Sequence, residues 1–298
     1  MTRNVPPVRS ALYVPGHRPD FMAKIGRFGP DAVILDLEDS VPPDHRPAAR
    51  REMTKWMMSK DRAPVTVFSR INGIDTGCLD DDLAAIVNPS LTAILLPKVS
   101  TAQDVLQLDE ALTRHEARAG LSAGSVCIWP LLETAKSVYF TYDIATCSPR
   151  IAYLGAGAPP KGDIARAIGF GDSGTYMEVI YLLSKVLLDV RAAGVPNPLS
   201  FMPTAIGDYA LYDRHAKFIR NIGYDGVAMI HPSQVETANR VFGVPDAELK
   251  AAERLIREMR AAQKEGKGAI VIDGEMYDEA HLKTALVTVE RAKAFENK

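Results

Sequence analysis

Cysteine is scarce in this sequence, and the few cysteines form no recognisable pattern. Cys78, Cys127 and Cys147 are odd in number and widely separated, and no CxxC pair occurs among them. A disulfide framework or a cysteine-ligated metal centre requires paired or closely spaced cysteines. The sequence therefore predicts neither, and it indicates reduced thiols in a cytoplasmic protein.

Long apolar runs and blocks of like charge are absent as well. The longest apolar runs are strand-sized, well short of the ~20 residues that span a bilayer. The first ten residues, MTRNVPPVRS, lack the apolar segment of a signal peptide. Lys and Arg number 35 against 37 Asp and Glu, which gives a net charge of −2 without a basic stripe. We therefore expect no membrane or nucleic-acid partner and a cytoplasmic location.

The sequence does contain a repeated alternation of strand-like and helix-like segments. Short apolar or β-branched runs recur at intervals of roughly 25 to 35 residues, and most are continuous in hydrophobicity rather than alternating. Continuous apolar runs are typical of parallel strands that are covered on both faces. The eight runs are residues 10–16, 32–39, 64–72, 93–99, 125–133, 150–157, 198–204 and 226–232.

Helix-like segments lie between these runs and carry recognisable start signals. Thr101 with Asp104, and Ser233 with Glu236, match the capping-box pattern. Eight β-then-α units suit a (β/α)₈ TIM barrel, whose usual length is about 250 residues. A doubly wound open sheet is the alternative, but it uses fewer strands and a glycine-rich dinucleotide turn, and no GxGxxG follows the first run. The barrel is the predicted fold.

A further segment follows the eighth unit. Residues 246–263 predict one more amphipathic helix, with Leu255, Met259 and Ala262 on a shared face. Residues 265–292 then contain a short strand, a turn at Gly274 and a helix, none of which a barrel needs. We therefore predict a barrel domain over 1–245 and a C-terminal helical lid extension over 246–298, an appended element of the kind that serves as a lid or a subunit contact.

Three closely spaced acidic residues lie at the end of the second predicted strand. Asp36, Glu38 and Asp39 stand within four positions, directly after buried apolar residues. Like charges repel and burial penalises each one, so these side chains must reach solvent or surround a positive group. The carboxyl ends of barrel strands form the mouth where active sites lie.

Glu133 and Asp163 reach the same mouth from the fifth and sixth strands. Two carboxylates with further acids nearby suit a hard cation such as Mg²⁺, which takes one or two carboxylates plus waters and substrate oxygens. Glu38, Asp39 and Lys98 would then form a second shell around the cation. A network of ion pairs without a metal remains an alternative on spacing alone.

Eight motifs distributed over residues 9–290 carry a resemblance to a known family. They resemble, in the same order, motifs of the citrate lyase β-subunit-like family, which is grouped with the malyl-CoA and citramalyl-CoA lyases in the HpcH/HpaI aldolase superfamily. The resemblance implies a magnesium-dependent (β/α)₈ barrel that cleaves or forms a carbon–carbon bond beside an acyl thioester. The motifs are YVPGHRPDF, ILDLEDSVPP, SRIN, LLPKVSTAQDV, LLETAKSV, GDIARAIG, IHPSQVETANRVF and GKGAIVIDGEMYDEAH.

The resemblance also implies roles for individual residues. Glu133 of LLETA and Asp163 of GDIA match the magnesium ligands, with Glu133 beside the substrate. Arg70 of SRIN matches the arginine that contacts the substrate. We expect Mg²⁺ as the cofactor, and an acyl-CoA thioester and a small 2-oxo acid as the partners.

The remaining positions concern the thioester and the lid. Tyr13, Ile230 and His231 match residues that line the CoA-ester site, and Asp278 of GEMYDEAH falls where the family keeps a catalytic acid on its C-terminal lid. In relatives this lid closes over a neighbouring subunit. The resemblance therefore implies a homo-oligomer, a trimer or a multiple of one.

Four positions depart from the family pattern. Gly162 stands where relatives usually have an acid, and the loop before it, GAGAPPKG, is longer and richer in proline. His17 replaces a commoner asparagine, and Ser100 follows PKV where glutamate is usual. Asp20 stands near a position where some relatives carry a lysine for the CoA phosphates. The choice of substrate and the grip on the CoA nucleotide are expected to differ accordingly.

The predicted reaction is the reversible cleavage of a 3-hydroxyacyl-CoA thioester, such as malyl-, citramalyl- or citryl-CoA, to acetyl-CoA and a 2-oxo acid. Two alternatives remain open. A malate-type synthase or thioesterase would use the same site and hydrolyse the thioester. A non-catalytic CoA-binding subunit would bind without turnover.

Several of these residues also have a simpler structural interpretation. Arg70 could pair with the acids of the second strand, and Lys98 could be an ion-pair partner rather than a catalyst. Asp278 could cap the lid helix, and His231 could be a hydrogen-bonding residue before Pro232. Asp273, directly before Gly274, is best interpreted as a turn residue.

Overall fold

The structure is a computed structural model and describes residues 5–296. Within that range, eight strands form a single parallel sheet, and each overlaps one of the predicted runs. The strands are β1 (Ser10–Pro15), β2 (Ala32–Asp36), β3 (Thr66–Arg70), β4 (Ala93–Leu96), β5 (Cys127–Pro130), β6 (Tyr153–Leu154), β7 (Asn197–Phe201) and β8 (Gly226–Met229).

The sheet closes into a barrel. Its strand order is β5-β4-β3-β2-β1-β8-β7-β6, with every neighbouring pair parallel. Isolated parallel bridges join Ile128 to Ile151 and Leu131 to Gly155, and these bridges bring β5 beside β6. Gly155 has no room for a side chain there, because a Cβ would collide with the carbonyl of Leu199 on β7. The predicted (β/α)₈ barrel is confirmed.

Helices follow the strands and cover the outside of the barrel, as the continuous apolar strands require. No helix among the described residues is long and apolar enough to cross a membrane. The helices up to residue 242 are α1 (Pro19–Met22), α2 (Arg46–Met58), α3 (Leu79–Ile86), α4 (Ala102–Arg118), α5 (Ala135–Tyr139), α6 (Thr141–Thr146), α7 (Asp163–Ile168), α8 (Met177–Ala192), α9 (Tyr209–Ile222) and α10 (Val235–Phe242).

Aromatic side chains fill the barrel interior. Phe68 lies edge-on to Tyr153, with ring centroids 4.8 Å apart, and to Trp129 at 5.9 Å. All three side chains are fully buried. Edge-to-face pairs at these distances add to the stabilisation that comes from area burial. The barrel interior is therefore a packed core, and a functional site is expected at the carboxyl ends of the strands.

The two predicted capping boxes had different outcomes. Thr101 and Asp104 do form one at the start of α4. Ser233 and Glu236 do not, and that prediction was wrong. The N-cap is His231, whose Nδ1 accepts a hydrogen bond from the Ser233 amide, and α10 begins at Val235. The cap lies earlier because Pro232, which lacks an N–H, occupies the first position of a short 3₁₀ turn.

The chain divides into two compact units between Asn239 and Arg240. The second unit contains α11 (Asp246–Lys264), the antiparallel hairpin β9 (Ala269–Ile272) and β10 (Glu275–Asp278), and α12 (Glu279–Phe295). The predicted turn is confirmed, since Asp273 and Gly274 both have positive φ, at 51° and 88°, as a two-residue hairpin turn requires. The second strand of the hairpin was not predicted. The function of this unit as a lid stays a prediction.

Candidate functional site

An ion pair joins the carboxyl ends of β2 and β3. The register places Asp36 opposite Arg70 at the last position of each strand. The guanidinium grips the carboxylate bidentately, with Nε and Nη2 each 2.6 Å from an Asp36 oxygen. Burial opposes ionisation of Asp36, but the hydrogen bonds and charge of Arg70 outweigh it and hold the pKa of this carboxyl below its usual value. Arg70 is therefore a fixed cation in the barrel mouth.

Glu38 lies between two cations. Its oxygens are 2.8 Å from Arg70 Nη1 and 2.8 Å from Lys98 Nζ, while the more exposed Asp39 lies 3.4 and 3.8 Å from the same nitrogens. Burial raises the pKa of Glu38, although both cations oppose the shift. The acids of the second strand therefore surround Arg70 and Lys98, which resolves the crowding of negative charge in the sequence.

Lys98 also contacts Glu133 through its backbone. Its φ of 55° lies in the left-handed region, which a residue with a Cβ adopts at a cost of order 1 kcal/mol. In this conformation its amide donates to Glu133 Oε2 at 3.0 Å. One residue therefore binds Glu38 with its side chain and Glu133 with its main chain.

Glu133 and Asp163 are electrostatic neighbours. Burial raises the pKa of Glu133, the Lys98 amide and the charge of Arg70 oppose the rise, and the charges of Glu38 and Asp163 add to it. Asp163 opens α7, and its carboxylate lies 2.6 Å from the exposed guanidinium of Arg166 one turn later.

These carboxylates fit a hard divalent cation. Within residues 5–296, no group of three or more His, Cys, Asp and Glu side chains is arranged to hold a metal ion. Mg²⁺ does not need such a cage, since it is commonly held by one or two carboxylates with waters and substrate oxygens. The repulsion that opposes ionisation of Glu133 would be relieved by a cation placed between Glu133 and Asp163.

The loop before Asp163 explains the absence of an acid at position 162. A Cβ added at Gly162 would lie 2.7 Å from Cγ of Pro159, which is shorter than real Cβ contacts allow. A side chain at this position therefore requires the proline ring or the loop to move. The position of Pro159 in this loop therefore requires a glycine at residue 162.

We expect Gly162→Ala to destabilise the protein by about 1–3 kcal/mol, the usual cost of overpacking, and to weaken Mn²⁺ binding because Asp163 is the next residue. Thermal unfolding and Mn²⁺ titration followed by electron paramagnetic resonance measure the two effects. The double variant Gly162→Ala with Pro159→Ala removes the obstructing ring and should recover most of both losses. Equal losses in the single and double variants would contradict this account of the loop.

Tyr13 lies beside the ion pairs and opens onto an apolar cleft. The Arg70 guanidinium is 5.1 Å from the Tyr13 ring centroid. Burial raises the pKa of the Tyr13 phenol, Arg70 opposes the rise, and the nearby carboxylates add to it, so the phenol stays protonated. A cleft of about 380 Å³ runs from Tyr13 to Ile230 and His231. The residues expected to line the CoA-ester site thus share one cleft, although their role stays a prediction.

The exposed side chains of this cleft are mostly apolar. Ile230 is 51% exposed, and Phe21 and Phe28 are 41% and 42% exposed, while Lys24 adds a cation to the lining. His231 caps the following turn, as its simpler interpretation proposed. His231 also lines the cleft, so its expected role in binding the CoA ester stays a prediction.

The sequence departures near the cleft have local partners. Asp20 forms a bidentate ion pair with Arg18, at 2.8 and 2.9 Å, and the Arg18 guanidinium stacks on Phe21. The His17 ring lies edge-on to His45, with centroids 5.6 Å apart. Asp20 is therefore paired with a neighbouring cation.

Asp278 belongs to the second unit and caps α12. Its side chain accepts hydrogen bonds from the amides of Ala280 and His281, and His281 Nδ1 lies 2.7 Å away. The hydrogen bond with His281 lowers the pKa of this exposed carboxyl. The structure thus shows the capping role, and the catalytic role stays a prediction.

Comparison with known proteins identifies the family. Residues 9–232 match HpcH/HpaI aldolase/citrate lyase. The chain belongs to the HpcH/HpaI aldolase/citrate lyase family. The resemblance to citrate lyase β subunits that the motifs indicated is confirmed.

Members of the HpcH/HpaI aldolase/citrate lyase family match over nearly the whole chain. A citrate lyase subunit beta-like protein of Deinococcus radiodurans is 32% identical over 288 residues, covering 95% of this chain and 97% of that protein. A (3S)-malyl-CoA thioesterase of Cereibacter sphaeroides is 32% identical over 294 residues, covering 99% and 98%. Among solved structures, CitE from Mycobacterium tuberculosis in complex with magnesium, acetoacetate and coenzyme A has a TM-score of 0.72 and 26% identity, covering 97% of this chain and 99% of that chain.

Within this HpcH/HpaI aldolase/citrate lyase barrel, sequence reasoning missed two features. Asp36 was grouped with the acids around a cation, whereas it is the main partner of Arg70. The signal was present, because both residues end adjacent strands, but the register was needed to pair them. The left-handed Lys98 carries no sequence signal, since lysine rarely adopts that conformation.

Proposed function

We propose that this protein is a magnesium-dependent carbon–carbon lyase that cleaves or forms a 3-hydroxyacyl-CoA thioester such as malyl-, citramalyl- or citryl-CoA. The products of cleavage would be acetyl-CoA and a 2-oxo acid. The observation that carries the proposal is the grouping of Glu133 and Asp163 with the fixed cation of Arg70 in one barrel mouth. The crystallisation of CitE with magnesium, acetoacetate and coenzyme A supports it.

The chemical difficulty is negative charge, which lies first on the alkoxide-like oxygen that becomes the oxo group and passes to the enolate as the bond breaks. A bound Mg²⁺ would act as a Lewis acid and template for the oxo acid. Glu133 and Asp163 would hold it. Arg70 stays protonated and cannot swing away, because Asp36 fixes its guanidinium, so it can stabilise the developing enolate without reorganisation.

The cleft beside Tyr13 is proposed to hold the thioester arm. Its exposed aromatic side chains suit the apolar parts of CoA, and Lys24, which lines the cleft, is proposed to bind a CoA phosphate. Tyr13 remains a hydrogen-bond donor at neutral pH, because its phenol does not ionise there. We assign Tyr13, Ile230 and His231 to substrate binding.

Magnesium-dependent turnover of a thioester panel tests the proposal. Malyl-, citramalyl- and citryl-CoA are incubated with the protein, with and without Mg²⁺, and the products are identified by mass spectrometry. A lyase releases acetyl-CoA and a 2-oxo acid. Free CoA with intact hydroxyacid would instead identify a thioesterase, the second candidate, which the (3S)-malyl-CoA thioesterase of similar sequence favours. Binding without turnover of any thioester would contradict both.

Asp278 is proposed to move the proton at the acyl α-carbon of a neighbouring subunit in a homo-oligomer, with a trimer as the expected state. We expect Asp278→Asn and Glu133→Gln each to be inactive alone. Mixed oligomers made by co-expression should recover about a quarter of wild-type activity, because a random half of the sites keeps Glu133 and a random half of their neighbours keeps Asp278.

The double variant that carries both substitutions in one chain is the control and should stay inactive when it is expressed alone. Analytical ultracentrifugation confirms that the mixtures contain oligomers. Hybrids that remain inactive would show that Asp278 does not act across subunits. An active Asp278→Asn protein would remove this residue from the mechanism.

A further inference from the structure

Lys98 follows the end of β4 at the mouth of the barrel, and its backbone conformation is unusual. Its φ is 55°, in the left-handed region that residues with a Cβ enter only at an energetic cost. Within the part of the chain that the structure describes, Tyr176 and Asp273 are the other non-glycine residues with positive φ. Asp273 lies in a two-residue hairpin turn, where positive φ is expected. Lys98 lies in no such turn, so its conformation needs a different explanation.

The left-handed conformation directs the Lys98 amide at one oxygen of a predicted metal ligand. The amide nitrogen lies 3.0 Å from Glu133 Oε2 and donates a hydrogen bond to it. Within residues 5–296, this is the one hydrogen bond that the Glu133 side chain makes. The carboxylate is therefore held through Oε2, and Oε1 stays available to a cation.

The ammonium group of Lys98 is bound elsewhere. Its Nζ lies 2.8 Å from Glu38 Oε1 and 3.8 Å from Asp39 Oδ1. Glu38 is itself fixed, because its side chain is only 5% exposed and its other oxygen lies 2.8 Å from Arg70 Nη1. Residue 98 is thus tied to the end of β2 by its side chain and to the end of β5 by its amide. These two contacts together offset the cost of the left-handed backbone.

We propose that Lys98 is a positioning residue for the metal site. Its ammonium group anchors the chain to Glu38, and its left-handed amide holds Glu133 Oε2 so that Oε1 is left to bind the cation. The inference rests on the proposed function, in which Glu133 binds Mg²⁺. A carboxylate that is already held loses less conformational freedom when the metal binds, and partners of this kind typically contribute about 10- to 100-fold to metal affinity.

The proposed role belongs to the main chain, so removal of the side chain alone does not test it. The pKa of the Lys98 ammonium group is raised by its bond with Glu38, and the charge of Asp163 adds to the rise. A positive group this close to Asp163 also repels a divalent cation. Loss of the ammonium group therefore has two opposite effects on metal affinity. The informative variants either keep the ammonium group or remove it from both members of a pair.

A backbone ester tests the amide directly. Incorporation of the α-hydroxy acid analogue of lysine at position 98 of the full chain replaces the N–H by an oxygen and leaves the ammonium group in place. We expect this protein to bind Mn²⁺ about tenfold more weakly than the wild type, as measured by titration followed by electron paramagnetic resonance. The same ester at Lys60, an exposed lysine between α2 and β3, is the matched control and should not alter Mn²⁺ binding. Unchanged or tighter binding by the ester at position 98 would overturn the inference.

A pair of substitutions tests the backbone conformation. Lys98→Gly and Lys98→Ala both remove the ammonium group and differ only by a Cβ. Glycine adopts positive φ without steric cost, so the Lys98→Ala variant should bind Mn²⁺ about fivefold more weakly than the Lys98→Gly variant. Asp273→Gly and Asp273→Ala repeat the comparison at the hairpin turn, where φ is 51°, and neither should alter Mn²⁺ binding. Equal affinities of the two Lys98 variants, both shown to be folded by thermal unfolding, would contradict the proposed role.

Mn²⁺ binding, measured without any thioester, separates this inference from the proposed function. If Mn²⁺ binds but no thioester is turned over, the proposed function fails, and the order of the Mn²⁺ affinities still decides the role of Lys98. If thioesters are turned over but the ester at position 98 binds Mn²⁺ as the wild type does, only the role of Lys98 fails. A wild-type protein that binds no Mn²⁺ would overturn the metal site and this inference together.

Discussion

Glu133→Gln is expected to lower kcat/KM by on the order of 10³-fold, which corresponds to about 4 kcal/mol of lost transition-state stabilisation. The substitution keeps the size of the side chain and an oxygen that can accept from the Lys98 amide, now 3.0 Å from Oε2. It removes only the charge. The expected loss of kcat/KM therefore measures the effect of losing the cation that the Glu133 carboxylate would bind. Titration with Mn²⁺ should show that the variant binds the metal more weakly as well.

The same variant makes a second prediction, about stability. Burial and the charges of Glu38 and Asp163 disfavour ionised Glu133 when no cation is bound. Metal-free Glu133→Gln should therefore unfold at the same temperature as the wild type or higher, and only the wild type should gain stability from Mn²⁺. Glu110→Gln, at an exposed position on α4, is the control for loss of a carboxylate. A variant that unfolds earlier without metal and keeps its activity would make Glu133 a structural residue.

Arg70→Ala is expected to cost about 3–5 kcal/mol of folding stability, the usual result of removing one partner from a buried ion pair. Asp36 would keep its burial, with a side chain only 1% exposed, and lose both 2.6 Å hydrogen bonds from the guanidinium. Glu38 would keep only Lys98. Activity should also fall at least 10³-fold, because the charge facing the enolate is gone. Chemical denaturation and steady-state kinetics measure the two effects.

Two matched variants separate these effects. Arg18→Ala breaks an exposed bidentate pair with Asp20, and it should change the folding stability little, as is usual for surface pairs. Arg70→Lys keeps a charge but cannot bind Asp36 with a rigid fork, so it should recover more stability than activity. If Arg70→Ala proves as mild as Arg18→Ala, the ion pair does not hold the barrel mouth together.

The barrel could be predicted because its signal is repeated. Eight strand-sized runs recur along the chain, most of them continuous in hydrophobicity, and β2 is buried at every position. An error in one run would not have changed the fold class. The strands are shorter than the runs, as in β6, which spans only Tyr153–Leu154, because hydrophobicity continues into the turns that cover the core.

The site could be predicted only as far as the identity of its residues. Polar side chains at strand ends had to share one mouth, so the meeting of Arg70, Glu38 and Lys98 followed from the topology. The preference of Arg70 for Asp36 depends on register, and the contact of Lys98 with Glu133 depends on one unusual backbone angle. Neither the Arg70–Asp36 pair nor the Lys98–Glu133 contact can be predicted from the spacing of residues in the sequence.

Local caps proved harder to predict than the fold. The sequence contains the capping-box pattern of Ser233 and Glu236, but these residues do not cap the helix. Pro232 occupies the first position of an earlier 3₁₀ turn, and His231 is the N-cap of that turn. A cap is decided by one or two hydrogen bonds of about 1 kcal/mol each. Such small differences are settled by the neighbouring chain, which a short motif does not describe.

The central claim is a divalent cation held by Glu133 and Asp163 at the mouth of the barrel. A crystal of the full chain grown with Mn²⁺ and pyruvate, with diffraction recorded at the manganese absorption edge, tests it directly. We predict one anomalous peak in contact with both carboxylates and with the oxo acid. Anomalous density elsewhere, or none in the mouth when pyruvate is bound, would contradict the account.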